Sequence, residues 1–427
     1  MATSYEVESR TPVTSSAADL IRCYDPATRT PLGEVRVVKP DELRARVERA
    51  RTAQRTFRLT SFAERRRILG RILDHVLEHA DELATMVVRS AGKTRENAML
   101  GEIWPVCEKL RHTIANGEEA LLPEPVSAGL FSHKRAVIQY QPLGVVGVIA
   151  PWNYPLQNLL GPAIPALFAG NAGVIKPSEA VAWASARVQR IFDEALSASG
   201  YSTDLVQIVD GYAETGKALV TCVDKIIFTG SMVNGKRVLA ESAKTLTPCI
   251  LELGGKDAFV VCDDANVENA AHAAMAGVFI AAGQNCLAAE RLIVMDGVYD
   301  EFTKRVVELA SELRQGPPLG DRRVDVGAMT TPQQLEIVEH LVGDAVKKGA
   351  RVLVGGKRTL TETGSYFAPT VLVDVPKDAL ILQEETFGPV MVILRARTED
   401  DAIRIANDTQ YGLSATVMTE DAARAAR

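Results

Sequence analysis

A cysteine and a glutamate upstream of it are the residues of this sequence best suited to covalent chemistry. Cys286 ends the segment GQNC (residues 283–286), and Glu252 begins the segment ELGGK (residues 252–256). A thiolate is a strong nucleophile, and a carboxylate can activate water as a general base. A nucleophilic role predicts a polar, partly open setting that lowers the thiol pKa of Cys286. Taken alone, Cys286 is equally a buried, inert cysteine, and Glu252 a surface glutamate in an ion pair.

Four further motifs accompany this pair: PWNYP (residues 151–155), KPSE (176–179), FTGS (228–231) and EETFGP (384–389). The side-chain amide of Asn153 suits donation to an oxyanion, although an asparagine before Tyr154-Pro155 also fits an ordinary turn. The FTGS segment closes a strand and opens a helix, which places backbone N–H groups and the Ser231 hydroxyl where a pyrophosphate binds.

Together the six motifs, in this order, resemble those of the NAD(P)-dependent aldehyde dehydrogenases, and the resemblance covers the chain from about Asp19 to its end. It implies oxidation of an aldehyde to a carboxylic acid with NAD, or with NADP, as the coenzyme. The thiohemiacetal and thioester would form on Cys286, with Asn153 and the Cys286 N–H as oxyanion donors. Water activated by Glu252 would hydrolyse the thioester, which favours a free acid over transfer to coenzyme A.

The resemblance also implies the coenzyme contacts. Lys176 and Glu179 correspond to residues that hold the adenosine ribose, and Glu385 and Phe387 to residues at the nicotinamide. Because a carboxylate repels a 2′-phosphate, Glu179 favours NAD. The full set of predicted cofactor-binding residues is Trp152, Lys176, Ser178, Glu179, Gly230, Ser231, Leu253, Gly254, Glu385 and Phe387.

The substrate entrance is predicted from the same resemblance, and none of its side chains carries a charge that would bind a dicarboxylic semialdehyde. Many relatives have a lysine where this chain has Pro162, whereas the fatty-aldehyde branch has a proline there. This favours medium or long aliphatic aldehydes and aromatic aldehydes. The predicted entrance residues are Tyr154, Asn158, Trp104, Asn285 and Leu287.

Two motifs of other protein classes are incomplete. Residues 230–236 fit GxxxxGK, but Arg237 stands where a nucleotide triphosphatase needs Ser or Thr. His75 and His79 fit HxxEH on an amphipathic helix with no third ligand in view, so no metal site is predicted.

Composition narrows the possible partners. The net charge is −6 with no Lys/Arg-rich block, so no nucleic-acid partner is predicted. The uncharged stretch 136–175 is interrupted by prolines and asparagines, so no membrane span is predicted. Six cysteines without a CxxC pair indicate reduced thiols and a cytoplasmic protein. The resemblance implies a small-molecule aldehyde as the substrate.

Strand–helix alternation predicts an α/β fold class with open, mainly parallel sheets. The resemblance implies that these form a coenzyme domain and an α/β catalytic domain, with a bridging oligomerisation hairpin. Locally we expect a strand pair over 19–38, a capped helix from Ser61, and helices over about 97–119 and over 267–281. The predicted divisions are a disordered tail (1–18), a coenzyme domain (19–122 and 144–253), the hairpin (123–143) and a catalytic domain (254–427).

Family members continue past the position of Arg427 with a core strand, a loop over the substrate and a terminal strand used in dimer formation. The resemblance therefore predicts that this chain is a fragment or a short variant that is aggregation-prone, poorly dimeric and weakly active. A full-length form would be a homodimer or homotetramer. The alternative is a non-catalytic truncated paralogue that binds NAD or a partner subunit.

Overall fold

A computed structural model of the chain describes residues 19–359 and 364–427, so the predicted disordered tail lies outside the described residues. The described chain begins with an antiparallel pair, β1 (Leu20–Tyr24) and β2 (Pro31–Arg36). This confirms the strand pair predicted over 19–38.

Five helices follow, and they are α1 (Pro40–Phe57), α2 (Phe62–Glu78), α3 (Ala80–Ala91), α4 (Arg95–Ala98) and α5 (Trp104–Asn116). The capping box of α2 is confirmed: Ser61 Oγ accepts from the Glu64 N–H and the Glu64 carboxylate accepts from the Ser61 N–H. The helix predicted over about 97–119 is instead a short α4, a π-helical turn at Met99–Ile103, and α5.

A hairpin and a five-stranded parallel sheet form the middle of the chain. The sheet has the order β7-β6-β5-β8-β9. Its elements are β3 (Glu124–Val126) and β4 (Ala136–Ile138) in the hairpin, then β5 (Val145–Ile149), α6 (Gln157–Phe168), β6 (Ala172–Lys176), α7 (Ser185–Ser197), β7 (Val206–Ile208), α8 (Ala213–Cys222), β8 (Lys225–Thr229), α9 (Met232–Ser242) and β9 (Cys249–Glu252).

A six-stranded sheet follows directly, with the order β12-β13-β14-β11-β10-β15; only the β12–β13 pairing in it is antiparallel. Its elements are β10 (Asp257–Val261), α10 (Val267–Phe279), β11 (Ala289–Met295), α11 (Asp296–Ser311), α12 (Pro332–Lys348), β12 (Arg351–Val354), β13 (Thr370–Val373), β14 (Val390–Ala396), α13 (Glu399–Asn407), β15 (Ala415–Met418) and α14 (Ala422–Ala425).

Each sheet is covered by helices and has its own apolar core. The core of the five-stranded sheet includes Leu43, Ile72, Ile175 and Phe192, and that of the six-stranded sheet includes Val294, Phe302, Val338 and Leu372. The α/β class with mainly parallel sheets is thus confirmed. Within the described ranges, none of the helices combines the length and apolar character that crossing a bilayer requires.

The ends of the strands bring the sequence motifs together. In the five-stranded sheet, PWNYP, KPSE, FTGS and ELGGK each begin at or just after the carboxyl end of β5, β6, β8 and β9. In the six-stranded sheet, ELGGK, GQNC and EETFGP instead precede the amino ends of β10, β11 and β14. The carboxyl edge of one sheet therefore faces the amino edge of the other, and the motifs line the cleft between them.

Candidate functional site

The loop that carries Cys286 begins where α10 ends, at Phe279, which is earlier than the predicted end at Ala281. Ala281, Ala282 and Gly283 then adopt left-handed backbone conformations with φ of 51°, 56° and 72°. This conformation is unfavourable for alanine. Consecutive residues in it indicate that contacts around the loop hold the turn in place.

The buried side chain of Gln284 supplies several of those contacts. Its Nε2 donates to the carbonyl oxygens of Ala281 (3.0 Å) and Ala328 (3.2 Å), and its Oε1 accepts from the Thr330 N–H (2.8 Å). Gln284 thus ties the Cys286 loop (residues 280–286) to residues 328–330. Sequence reasoning assigned it no role, because those partners are distant in the chain.

Asn153 lies against the same loop. Its side chain is buried, and Nδ2 donates to the Gln284 carbonyl oxygen at 3.0 Å. Asn158, which was predicted at the substrate entrance, donates from its own Nδ2 to Asn153 Oδ1 at 3.2 Å. The Gln284 carbonyl can only accept, so the Asn153 amide nitrogen faces the Cys286 loop, and Asn153 Oδ1 is left to accept from Asn158.

The setting of the Cys286 thiol differs from the prediction. The residue is half-buried, and Sγ lies 3.8 Å from Asn285 Oδ1. Burial raises the thiol pKa and the Glu385 carboxylate raises it further, while the backbone N–H groups of Cys286 and Leu287 lower it. The predicted lowering of the pKa is therefore wrong for the protein without bound ligands, because desolvation outweighs the nearby donors.

Glu252 is the last residue of β9, and its side chain is exposed. Its backbone carbonyl accepts from the Gly230 N–H at 3.0 Å, so the loops that follow β8 and β9 lie side by side. The exposed carboxylate is in contact with solvent at the carboxyl edge of the sheet. Its role as a base stays a prediction.

A buried ion pair joins the ELGGK and EETFGP segments. Lys256 Nζ lies 2.5 Å from Glu290 Oε2 and donates to Thr386 Oγ1 at 2.9 Å. The Glu290 carboxylate also accepts from the N–H groups of Thr386 (2.8 Å) and Phe387 (2.9 Å). Sequence reasoning did not indicate Glu290, although a charged residue inside an apolar strand is a signal that could have marked it.

Glu385 lies beside the glycines of ELGGK. A Cβ built on Gly254 would lie 2.2 Å from Glu385 Oε2, so any other residue here would displace the Glu385 carboxylate. Burial raises the pKa of Glu385 to about 8, and the Glu290 carboxylate adds to the rise. Glu385 Oε1 is buried and has no hydrogen-bond partner among the described residues.

Aromatic packing closes the same corner of the cleft. Phe387 has a left-handed backbone with φ of 50°, and its ring packs edge-on against Trp152 with centroids 5.4 Å apart. The structure thus brings together four of the predicted cofactor-binding residues, Trp152, Gly254, Glu385 and Phe387. The unpartnered Glu385 oxygen and the absence of a side chain at Gly254 both suit a ribose with free hydroxyls.

The predicted pyrophosphate site lies at the start of α9. Ser231 caps this helix by accepting from the Asn234 N–H at 3.4 Å, and Gly230 precedes it. Helix N-termini attract phosphate groups. Leu253 packs close by, since a Cβ on Gly235 would lie 2.6 Å from Leu253 Cδ2. These residues fit a dinucleotide.

The predicted ribose-binding pair follows β6. Lys176 is buried and donates from Nζ to the Pro177 carbonyl at 3.1 Å, whereas Glu179 is exposed. Burial lowers the pKa of Lys176, and the carboxylates of Glu179 and Asp210 oppose this shift. Ser178 caps the short 3₁₀ helix that begins at Glu179.

Asp210 is a buried carboxyl group near this pair that sequence reasoning missed. Its Oδ1 accepts from Ser185 Oγ at 2.6 Å, and burial raises its pKa to about 6. It follows β7, a strand of three residues that no sequence pattern indicated. Asp210 helps to set the charge around Lys176.

The predicted entrance residues lie at different depths. Trp104 and Leu287 are 58% and 53% exposed, as residues at a rim would be. Tyr154 is only 8% exposed, and its ring covers Lys93 Nζ at 3.5 Å. Tyr154 therefore lies below the rim and supports the loop that carries Asn153.

The HxxEH histidines pack against protein groups. His75 Nδ1 lies 2.9 Å from Glu194 Oε2, and the rings of His75 and His79 stack at 4.3 Å. Among the residues that the structure describes, no group of three His, Cys, Asp or Glu side chains is placed to hold a metal ion.

We expect Gly283→Ala to disrupt the Cys286 loop. A Cβ at Gly283 would lie 2.0 Å from the Gly388 carbonyl oxygen, and its φ of 72° is unfavourable for any other residue. The variant should unfold at lower urea concentration, and iodoacetamide should alkylate its Cys286 at a changed rate. Gly343→Ala is the matched control, because nothing lies within 4 Å of its Cβ position. Equal loss of stability in both variants would contradict this account.

The raised pKa of Glu385 predicts a pH dependence of stability. Between about pH 4.5, the ordinary value, and pH 8, the folded protein retains a proton that the unfolded chain has released. The free energy of unfolding should therefore fall as the pH rises through this window. The Glu385→Gln side chain cannot ionise, so this variant should lose the pH dependence. Its free energy of unfolding, measured by urea titration, should exceed that of wild type by an amount that grows with pH. Glu384→Gln, at the exposed neighbouring residue, is the control, and its free energy of unfolding should change with pH as that of wild type does. A pH-independent difference for Glu385→Gln would refute the assignment.

Comparison with known proteins places this architecture in a family. The model of the aldehyde dehydrogenase family matches residues 13–427. An aldehyde dehydrogenase-like protein of Schizosaccharomyces pombe is 39% identical over 407 residues, which are 94% of this chain and 78% of that protein. The NADP(+)-dependent succinate-semialdehyde dehydrogenase of Escherichia coli is 35% identical over 412 residues, which are 96% of this chain and 84% of that protein.

Solved structures agree with this assignment. An Escherichia coli NADP-dependent enzyme has a TM-score of 0.91 at 34% identity, covering 96% of this chain and 84% of that one. The NAD⁺ complex of an aldehyde dehydrogenase from Bacillus cereus has a TM-score of 0.89 at 31% identity, covering 95% of this chain and 82% of that one. This chain therefore belongs to the aldehyde dehydrogenase family, and its coenzyme is NAD or NADP.

Proposed function

We propose that this protein oxidises an aldehyde to a carboxylic acid through covalent intermediates on Cys286. The observation that carries the proposal is the contact between Asn153 Nδ2 and the Gln284 carbonyl oxygen at 3.0 Å. It brings an amide donor from the loop after β5 of the five-stranded sheet to the loop that carries Cys286. The other described cysteines lie elsewhere in the fold, and all six are free.

The first step is attack of the Cys286 thiolate on the aldehyde carbonyl, which forms a thiohemiacetal oxyanion. A side-chain amide carries two N–H donors. Asn153 uses one of them on the Gln284 carbonyl, and the other has no acceptor among the described residues. That second N–H, with the backbone N–H of Cys286, is our candidate oxyanion hole.

The Cys286 thiol must release its proton to solvent water before it attacks, and burial and Glu385 make this release less favourable by raising the thiol pKa. Trp152, Glu385 and Phe387 would hold the nicotinamide end of the coenzyme, which would supply hydride acceptance and, in its oxidised form, a positive charge. Such a charge favours the thiolate. The thioester that remains on Cys286 is then hydrolysed by water that Glu252 activates, which its exposed position at the carboxyl end of β9 allows.

We further propose uncharged substrates, namely medium or long aliphatic aldehydes and aromatic aldehydes. Trp104 and Leu287 are exposed and apolar, so they can pack against the hydrocarbon part of such substrates. Pro162 lies inside α6 and adds no charge. The Escherichia coli relative acts on succinate semialdehyde. A panel that includes hexanal, benzaldehyde and succinate semialdehyde therefore tests this choice.

The hairpin is our candidate for contact with a second subunit in a homodimer or homotetramer. Its apolar side chains at Val126, Val137, Ile138 and Tyr140 are at least 40% exposed.

We also propose a division into two domains. The coenzyme domain would comprise residues 19–122 and 144–253, and the catalytic domain residues 254–427. Free cysteines agree with a reducing compartment such as the cytoplasm.

The catalytic assignment is tested by two substitutions. Cys286→Ala should abolish NADH production from hexanal while NAD⁺ still binds, because the coenzyme cleft is intact. Glu252→Gln should release a burst of NADH and then turn over slowly, since only hydrolysis is impaired. Cys249→Ala is the control and should retain activity. Persistent dehydrogenase activity in Cys286→Ala would overturn the proposal, and NAD⁺ binding without turnover in wild type would favour a non-catalytic paralogue.

Coenzyme choice is tested at Glu179. Its exposed carboxylate should repel the 2′-phosphate of NADP, so wild type should prefer NAD and Glu179→Ser should shift the ratio of kcat/KM values toward NADP. Glu214→Ser, another exposed glutamate, serves as the control. A wild-type preference for NADP of about tenfold, or ~1.4 kcal/mol, would contradict the argument.

A further inference from the structure

The π-helical region between α3 and α5 contacts both loops of the candidate active site. Within it, Lys93 and Glu102 form a buried ion pair, with Nζ 2.9 Å from Oε1. The other carboxylate oxygen of Glu102 accepts from the N–H groups of Leu156 (2.6 Å) and Gln157 (3.2 Å). These groups begin α6, directly after the turn that carries Asn153. Glu102 therefore anchors the loop of the oxyanion donor.

Asn97 anchors the other loop. Its Oδ1 accepts from the Ala281 N–H at 2.7 Å, at the first left-handed residue of the Cys286 loop. Asn97 itself is fixed, because its backbone N–H donates to Thr94 Oγ1 at 3.2 Å in the N-cap of α4. The turn that leads to Cys286 is thus held by a side chain from the other half of the fold.

The π-helical turn places these two anchors on one continuous helical segment. A π-turn inserts a residue into a helix and is frequent at functional sites. Here Glu102 lies in the turn and Asn97 in α4 immediately before it. A Cβ on Gly101 would lie 2.9 Å from Tyr154 Cε1, so the Tyr154 ring packs directly on the turn. Tyr154 also covers Lys93 Nζ.

From these contacts we infer that Asn97 and Glu102 are positioning residues that set the placement of the Asn153 amide relative to Cys286. Asn97 holds the Cys286 loop, Glu102 holds the donor loop, and the two loops meet where Asn153 Nδ2 donates to the Gln284 carbonyl. The inference rests on the proposed function, since it assigns Asn97 and Glu102 to formation of the thiohemiacetal. Misplacement by about 1 Å can slow such a step by roughly a hundredfold.

The test is single-turnover NADH formation from hexanal with NAD⁺ and enzyme in excess. Asn97→Ala should lower the rate by about tenfold or more and leave the Kd for NAD⁺ unchanged. Asn97→Asp retains an acceptor oxygen for the Ala281 N–H and should restore most of the rate. Asn116→Ala is the control, because Asn116 is exposed and its side chain contacts His112 on its own helix.

A double-mutant cycle separates positioning from a general structural role. If Asn97 acts through Asn153, then Asn97→Ala should cause no further fall in rate in the Asn153→Ala background. An equal fall in both backgrounds, or a rate within about twofold of wild type in Asn97→Ala, would overturn the inference.

The second anchor, Glu102, needs a different variant. Glu102→Gln alone leaves the Lys93 ammonium buried without its charge partner and risks misfolding. The paired variant Lys93→Met/Glu102→Gln therefore tests the second anchor by the same cycle.

The alkylation rate of Cys286 provides a second readout that does not depend on dehydrogenase activity. If wild type oxidises none of the aldehydes tested, the proposed function fails. Alkylation of Cys286 by iodoacetamide, followed by peptide mass spectrometry, still reports on the loop. Asn97→Ala should change the alkylation rate severalfold while Asn97→Asp matches wild type. Identical rates in all three proteins would refute positioning by Asn97.

Discussion

The buried ion pair between Lys256 and Glu290 is the interaction on which the rest of the site depends. Burying two charges is unfavourable unless hydrogen bonds satisfy both partners. Here Glu290 accepts from Lys256 and from the N–H groups of Thr386 and Phe387, while Lys256 also donates to Thr386 Oγ1. The pair thereby fixes the ELGGK segment against the EETFGP segment. The approach of Glu385 to Gly254 and the packing of Phe387 on Trp152 both follow from it.

This constraint explains how two sheets can share one reaction. The motifs proposed to bind the coenzyme follow the carboxyl ends of β5, β6, β8 and β9, and the Cys286 loop precedes the amino end of β11. The proposed reaction requires the Cys286 thiol, the Asn153 amide and the coenzyme to be placed to within about 1 Å. Direct bonds across the cleft provide that placement, as between Asn153 and Gln284, and between Asn97 and Ala281.

The sequence was sufficient for the motifs and the α/β class, because strand–helix alternation and glycine-rich turns are local signals. It was insufficient for β7 and α8: β7 has only three residues, and Gly216 interrupts the helical pattern of α8. The roles of Gln284 and Asn97 depend on partners that tertiary packing supplies. The direction of the Cys286 pKa shift was wrong for the same reason, since burial cannot be deduced from neighbouring residues.

The most direct test of the account is to trap the acyl group on its proposed attachment site. Glu252→Gln protein mixed with hexanal and NAD⁺, quenched in acid and digested, should show the mass of a hexanoyl group on the peptide that contains Cys286. The same mixture without NAD⁺ should show none, because oxidation must precede the stable thioester. NADH formation without acylation of Cys286, or acylation of another cysteine in its place, would contradict the account.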